Sequence, residues 1–201
     1  MDSIRVLTVC SGNICRSPLA QLMISSRLSG LDSFVVTSAG TVARDGDPMP
    51  DPAQELAIEY GVDPTTHRAT YLTESIVSDS DLILAMSRSH RSQIVRYDPR
   101  KISRTFTLRE FARLSGRVGD EEVRAVATAP DVRGRFEAVM ARLVAEKAGA
   151  MPAIPDEDDV VDPYRKDRAT YVRSGLEIAP AVEEVARVLR LAAYPLGGES
   201  A

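Results

Sequence analysis

An α/β fold with a parallel sheet buried between helices is what this sequence predicts, and three observations carry the expectation. Short runs rich in Val, Ile and Leu alternate with segments of helical period. Those runs are apolar at consecutive positions, as in strands covered on both faces. A chain of 201 residues with 44% hydrophobic and 27% charged residues has the size and composition of one soluble domain around one core.

Taken in order, Ile4–Val9 reads as the first strand and Cys10–Arg16 as the loop after it. A helix is expected from about Pro18 to Leu28, with Ser17 as N-cap and Pro18 at the first helical position. Phe34–Thr37 reads as the second strand. Pro52–Tyr60 reads as a helix closed by Gly61, which suits a left-handed cap. Leu82–Met86 is the third strand, followed by a helix near Ser89–Tyr97 that stops before Pro99, and Arg104–Thr107 is the fourth strand.

Between about 115 and 159, Gly116, Gly119, Pro130 and Gly134 interrupt the pattern, and Phe136–Lys147 alone reads as an amphipathic helix. This stretch is expected to be an insertion in a single domain spanning 1–195, with a flexible tail at 196–201. A last helix places Val182, Val185, Val188, Leu189 and Ala192 on one face, and Pro180 either opens it or kinks a longer one. No internal repeat is evident.

Twenty-five Lys and Arg against 29 Asp and Glu give a net charge of −4, so no global field attracts nucleic acid or an anionic membrane. Neither a signal-peptide pattern nor a membrane-length apolar run is seen, and the expected location is cytoplasmic. Two cysteines five positions apart do not form a secreted disulfide framework; a reducing compartment would leave them free for chemistry.

Chemistry concentrates in Cys10-Ser11-Gly12-Asn13-Ile14-Cys15-Arg16-Ser17-Pro18, between a buried strand and a helix start. Backbone N–H groups curling around a small anion at the positive end of a helix make a phosphate cradle. Gly12 and Asn13 tolerate the left-handed backbone such a loop requires. A thiol at the first position feels the same dipoles and the charge of Arg16, both of which favour the nucleophilic thiolate. The planar fork of Arg16 suits two equatorial oxygens of a phosphoryl group, a geometry lysine does not offer.

This segment resembles the Cys-x5-Arg-Ser signature of protein tyrosine phosphatases, and with Asn13, Cys15 and Pro18 near the N-terminus it resembles the low-molecular-weight family. Ser38-Ala39-Gly40-Thr41, His67-Arg68-Ala69, Asp81-Leu82-Ile83-Leu84-Ala85-Met86 and Asp162-Pro163-Tyr164 follow in the family's order. The resemblance spans most of the chain except about 115–159 and the tail. It implies a four-stranded parallel twisted sheet flanked by helices and two-step hydrolysis of phosphotyrosine with no metal and no cofactor. Cys10 would be the nucleophile and Arg16 the phosphoryl-binding cation, with Asp162 as general acid and then base. Ser11, Gly12, Asn13, Ile14, Cys15, Arg16 and Ser17 would hold the phosphate. Ser17 would also donate to the Cys10 sulfur, and Asn13, Ser38 and His67 would shape the loop by hydrogen bonds.

Ser11, Ile14, Arg44 and Tyr164 are expected to wall the pocket mouth, with Tyr164 stacking on a flat aromatic substrate. Members of the family specialised for phosphoarginine carry threonine where Ile14 stands, so the resemblance favours phosphotyrosine; Arg44 stands where many relatives have an aromatic wall. Cys15 is either loop packing or, as the resemblance suggests, half of a reversible protective disulfide with Cys10. The acidic run Asp156-Glu157-Asp158-Asp159 reads as a solvated loop, and His90, among Arg88, Arg91 and Arg96, as part of a solvated helix face with phosphoprotein docking as the alternative.

Arg165-Lys166 resembles the bacterial subgroup that acts on capsule and exopolysaccharide tyrosine kinases, which makes such a kinase a candidate partner among phosphotyrosine proteins. The rival activities are a phosphoarginine phosphatase, an arsenate reductase on the same fold and a binding module without turnover. Arsenate reductases of this fold use further cysteines outside the loop, which this chain lacks. A module that only binds needs neither nucleophile nor acid.

Overall fold

The computed structural model describes residues 3–149 and 155–194, so the tail at 196–201 lies outside the described residues. Four parallel strands form one sheet in the order β2-β1-β3-β4: β1 Ile4–Cys10, β2 Phe34–Gly40, β3 Leu82–Ala85 and β4 Thr105–Thr107. Side chains alternate across it. Ile4, Val6, Leu82 and Leu84 enter the larger apolar cluster, whereas Leu7, Val9, Ile83 and Ala85 enter a smaller one on the opposite face. Both faces are therefore apolar, which is why the strands read as unbroken hydrophobic runs.

The helices are α1 Arg16–Arg27, α2 Asp51–Glu59, α3 Glu74–Ser78, α4 Arg88–Tyr97, α5 Leu108–Ser115, α6 Asp120–Val126, α7 Val132–Glu146 and α8 Arg168–Ala193. Residues of α3 and α4, Val77 and Ile94, close the smaller cluster, and α1, α2 and α5 to α8 surround the larger one. Because all strand pairs are parallel, every strand ends at the same edge of the sheet, the edge that carries the loops after β1 and β3.

Several boundaries differ from the sequence expectation. α1 begins at Arg16 with Cys15 as N-cap, not Ser17, because the Ser17 hydroxyl turns towards the Cys10 sulfur instead of capping. β2 runs on to Gly40 through its full pairing with β1. α8 starts at Arg168 and contains Pro180, so the proline sits inside a longer helix. Its start is marked by Asp167, whose carboxylate accepts the Thr170 N–H at 2.9 Å. α5 is headed by a capping box in which Thr107 and Glu110 satisfy each other's backbone N–H groups.

In the 115–159 stretch, α6 and α7 are packed elements: Val123, Phe136, Val139, Met140 and Leu143 are buried in the larger cluster. Arg135 is 3% exposed and donates to the Ala192 and Ala193 carbonyls at the end of α8, at 2.8 and 2.7 Å. α6 and α7 thus cover the back of α8 and contribute no residue to the cavity described next. Among the described residues no helix is long and apolar enough to cross a membrane.

Candidate active site

The loop between β1 and α1 lies at the C-terminal end of the sheet, where β1 is flanked by β2 and β3. Backbone bonds tie it to the start of the β2–α2 link: Thr41 N–H donates to Cys10 O and Val42 N–H to Ser11 O, each at 3.0 Å. Gly40 passes so close that a Cβ there would sit 2.4 Å from Ser11 O and 2.8 Å from Asn13 N. Only glycine fits at that crossing. Within the loop the left-handed residue is Asn13 (φ 53°), while Gly12 keeps a negative φ, so the special conformation falls on one of the two expected positions.

Asn13 is fully buried and serves three neighbours. Its Nδ2 donates to Ser17 Oγ at 2.9 Å, its Oδ1 accepts the Thr70 N–H at 2.8 Å, and its carbonyl lies 2.7 Å from His67 Nε2. Burial lowers the pKa of His67, which keeps the ring neutral and leaves one N–H to donate to that carbonyl. Ser38 does not join them. It pairs with Thr8 on the α1 side of the sheet and donates to Gln21 Oε1 at 2.5 Å, so it holds α1 and not the loop.

The Cys10 sulfur is 3% exposed and receives two polar contacts: Ser17 Oγ at 3.0 Å and the Asn13 N–H at 3.3 Å. Ser17 Oγ accepts from Asn13, and its own proton has two acceptors in reach, the sulfur at 3.0 Å and the Ala39 carbonyl at 3.5 Å. Cys15, also a free thiol, is buried with its sulfur 4.0 Å from Tyr171 Oη, and burial together with the nearby Cys10 pushes its pKa up to about 12.

Arg16, 6% exposed, donates from Nη1 to the Val160 carbonyl at 3.2 Å and pairs through Nη2 with Asp162 Oδ2 at 2.7 Å. This brings Asp162, far away in sequence, into the same site. The segment carrying it is clamped from both sides. Val160 N–H donates to Met86 O at 2.9 Å and Val161 N–H to Glu177 Oε2 at 2.8 Å. The acidic run is solvated only in its first half: Asp156 and Glu157 are exposed as expected, whereas Arg113 holds Asp158, 6% exposed, through two bonds of 3.1 and 2.8 Å, and Asp159 Oδ1 accepts the Arg88 N–H at 2.8 Å. Arg88 also pairs with Asp156. Three of the four carboxylates thus meet a cation supplied by α4 or α5.

A cavity of about 220 Å³ opens over these groups, lined by Cys10, Ser11, Gly12, Ile14, Cys15, Arg16, Val42, Arg44, Asp47, Asp162 and Tyr164. Tyr164 is half-exposed at the mouth with the Arg165 guanidinium 5.1 Å from its ring centre. The expected wall residues Ser11, Ile14, Arg44 and Tyr164 are all present; Val42 and Asp47 were missed, along with the backbone partners Gly40 and Thr70. Among the described residues no group of three or more His, Cys, Asp or Glu side chains is placed to hold a metal ion.

His90 corrects the expectation of a solvated face. It is 5% exposed, with Nε2 2.8 Å from Ser11 Oγ and Nδ1 2.8 Å from Ser87 Oγ. Burial and the charge of Arg16 bring its pKa down to about 4. The sequence did hold a signal: His90 and Ile94, four apart, are the two buried positions of α4.

Comparison with known proteins gives a consistent result. The family model for low molecular weight phosphotyrosine protein phosphatases matches residues 5–149. A probable low molecular weight protein-tyrosine-phosphatase, EpsP, of Ralstonia nicotianae is 42% identical over 106 residues, covering 53% of this chain and 71% of EpsP. A protein-arginine-phosphatase of Geobacillus stearothermophilus is 35% identical over 117 residues, 58% of this chain and 75% of that one. A crystal structure of a low molecular weight protein tyrosine phosphatase from T. tengcongensis superposes with a TM-score of 0.64 at 28% identity, covering 91% of this chain and 97% of that chain.

Proposed function

This chain belongs to the low molecular weight phosphotyrosine protein phosphatase family, whose members are hydrolases, and we propose that it hydrolyses phosphotyrosine in proteins through a phosphocysteine intermediate. The observation that carries the reading is the meeting of Cys10, Arg16 and Asp162 in one cavity, with Ser17 Oγ 3.0 Å from the sulfur.

In the first step the Cys10 thiolate attacks phosphorus in line with the departing phenolic oxygen, so an S–P bond forms as the P–O bond breaks. The N–H groups of residues 11–17 and the fork of Arg16 take the equatorial oxygens. Arg16 is paired with Asp162 before substrate arrives. A bound dianion competes for that guanidinium and releases the Asp162 carboxylate, which takes up a proton from solvent and, as a carboxylic acid, gives it to the phenolic oxygen. In the second step Asp162, now a carboxylate, takes a proton from water, which attacks phosphorus and expels the sulfur. Donation from Ser17 stabilises the thiolate that leaves.

Tyr164, Val42 and Ile14 offer the flat apolar walls an aromatic ester needs. A second reading has one observation in its favour: Asp47 lines the cavity, and a carboxylate there suits the guanidinium of phosphoarginine, the substrate class named for one of the relatives. The cytoplasm is the proposed location, and a bacterial tyrosine kinase a proposed partner, in keeping with relatives from bacteria that are named probable low molecular weight protein-tyrosine-phosphatases.

The test is phosphate release from matched phosphotyrosine and phosphoarginine peptides. Turnover of the tyrosine peptide, inhibited by vanadate and lost in Cys10→Ser, supports the proposal. Turnover of the arginine peptide alone, or turnover that survives Cys10→Ser, contradicts it.

A further inference from the structure

The second position of the loop carries a hydroxyl that the mechanism above leaves without a role. Ser11 is half-buried in the cavity wall next to Cys10, and its Oγ ends a chain of hydrogen bonds that starts at the cap of α4. Ser87 is that cap, and its Oγ accepts the His90 backbone N–H at 3.3 Å while standing 2.8 Å from His90 Nδ1. The far side of the ring, Nε2, is 2.8 Å from Ser11 Oγ.

Proton counting leaves two orders along this chain of hydrogen bonds, and the charge of the bound anion selects between them. His90 is buried beside Arg16, and its pKa of about 4 leaves one ring N–H at neutral pH. Ser87 Oγ accepts a backbone proton and in one of the two possible orders gives its own to Nδ1. The ring proton then sits on Nε2 and is donated to Ser11 Oγ, which leaves the Ser11 proton for a third group. The reverse order would spend the Ser11 proton on Nε2 and turn an oxygen lone pair towards the cavity. Beside a phosphoryl dianion that order is repelled, and the first is attracted. A hydroxyl that accepts a hydrogen bond is also the stronger donor.

We propose that the Ser11 hydroxyl is a further donor to the phosphoryl oxygens, and that His90, fixed by Ser87, is the positioning residue that aims it. This rests on the phosphatase reading, and the experiment keeps the two apart. Turnover of an aryl phosphate is measured with inorganic phosphate and vanadate as competitive inhibitors. Loss of turnover in Cys10→Ser tests the phosphatase reading alone.

Given that loss, Ser11→Ala is expected to weaken phosphate and vanadate inhibition by about tenfold, the worth of one hydrogen bond to a charged acceptor. His90→Phe should give the same loss and the double variant no more than either, because one bond is removed in each. His90→Gln, whose side-chain N–H reaches where Nε2–H does, should recover most of it. If His90→Phe does not fold, the ring is read directly by ¹⁵N chemical shifts of the vanadate complex, where a proton on Nε2 is expected. Inhibition constants within twofold of wild type in Ser11→Ala, losses that multiply in the double variant, or a proton on Nδ1 in the complex would overturn the proposal.

Discussion

Replacing Asn13 separates what its backbone does from what its side chain does. The side chain makes two bonds, to Ser17 Oγ and from the Thr70 N–H, at 2.9 and 2.8 Å. At about 1 kcal/mol net each, removing both costs about 2 kcal/mol. The backbone sits at φ 53°, which a β-carbon makes unfavourable by about 1 kcal/mol or more and glycine accepts freely. Since Asn13 itself carries a β-carbon at this φ, Asn13→Ala should lose about 2 kcal/mol for the two bonds and Asn13→Gly about 1 kcal/mol, because glycine relieves the strain; this reverses the usual order in which alanine is the gentler replacement. Urea unfolding followed by circular dichroism reads both values. Activity on an aryl phosphate should fall in each, because Ser17 then loses the donor that turns its proton towards Cys10. An alanine variant as stable as the glycine one would refute the assignment of strain and support to this residue.

Two further outcomes follow from the same geometry. Asp162→Asn should slow hydrolysis of poor leaving groups such as tyrosine far more than that of activated aryl phosphates, since only the former need the proton; equal losses measured on the two would remove Asp162 from that role. The folded pKa of His90 lies below its unfolded value, so the unfolded state binds more protons between pH 6.5 and about 4, and stability contributed by the neutral ring falls as pH drops through that window. His90→Gln should flatten that acid limb of the stability profile, and an unchanged slope in urea titrations would contradict a buried neutral ring.

How far the sequence speaks depends on the range of the interaction concerned. The Cys10–Pro18 loop and the strands around it were legible because each rests on neighbours in the chain: a buried run, a turn, an arginine at fixed spacing and a proline in the first turn of α1. Asp162 was placed by resemblance alone, since the bond that positions it, to Arg16, spans most of the chain. α5 was readable and was missed, as Thr107 and Glu110 spell a capping box. Within the run 156–159, Asp158 and Asp159 depart from the solvated reading because Arg113 and Arg88, from elements that only the fold brings near, hold them. His90 was misread for the opposite reason: Arg88 and Arg91 beside it in sequence pair with Asp156, Asp159 and Glu110, while its own ring faces the loop. Ser38 went to Gln21 because sheet register, invisible in one sequence, sets which face it occupies.

Selective alkylation puts the central idea, an anion-binding ring that holds a reactive sulfur, to its most direct trial. With iodoacetamide in mildly acidic to neutral buffer, Cys10 should be modified at one equivalent and shielded by phosphate or vanadate, while Cys15, whose thiol stays protonated up to about pH 12, remains untouched. Labelling that needs alkaline buffer, ignores both oxyanions, or falls equally on Cys15 would contradict the account.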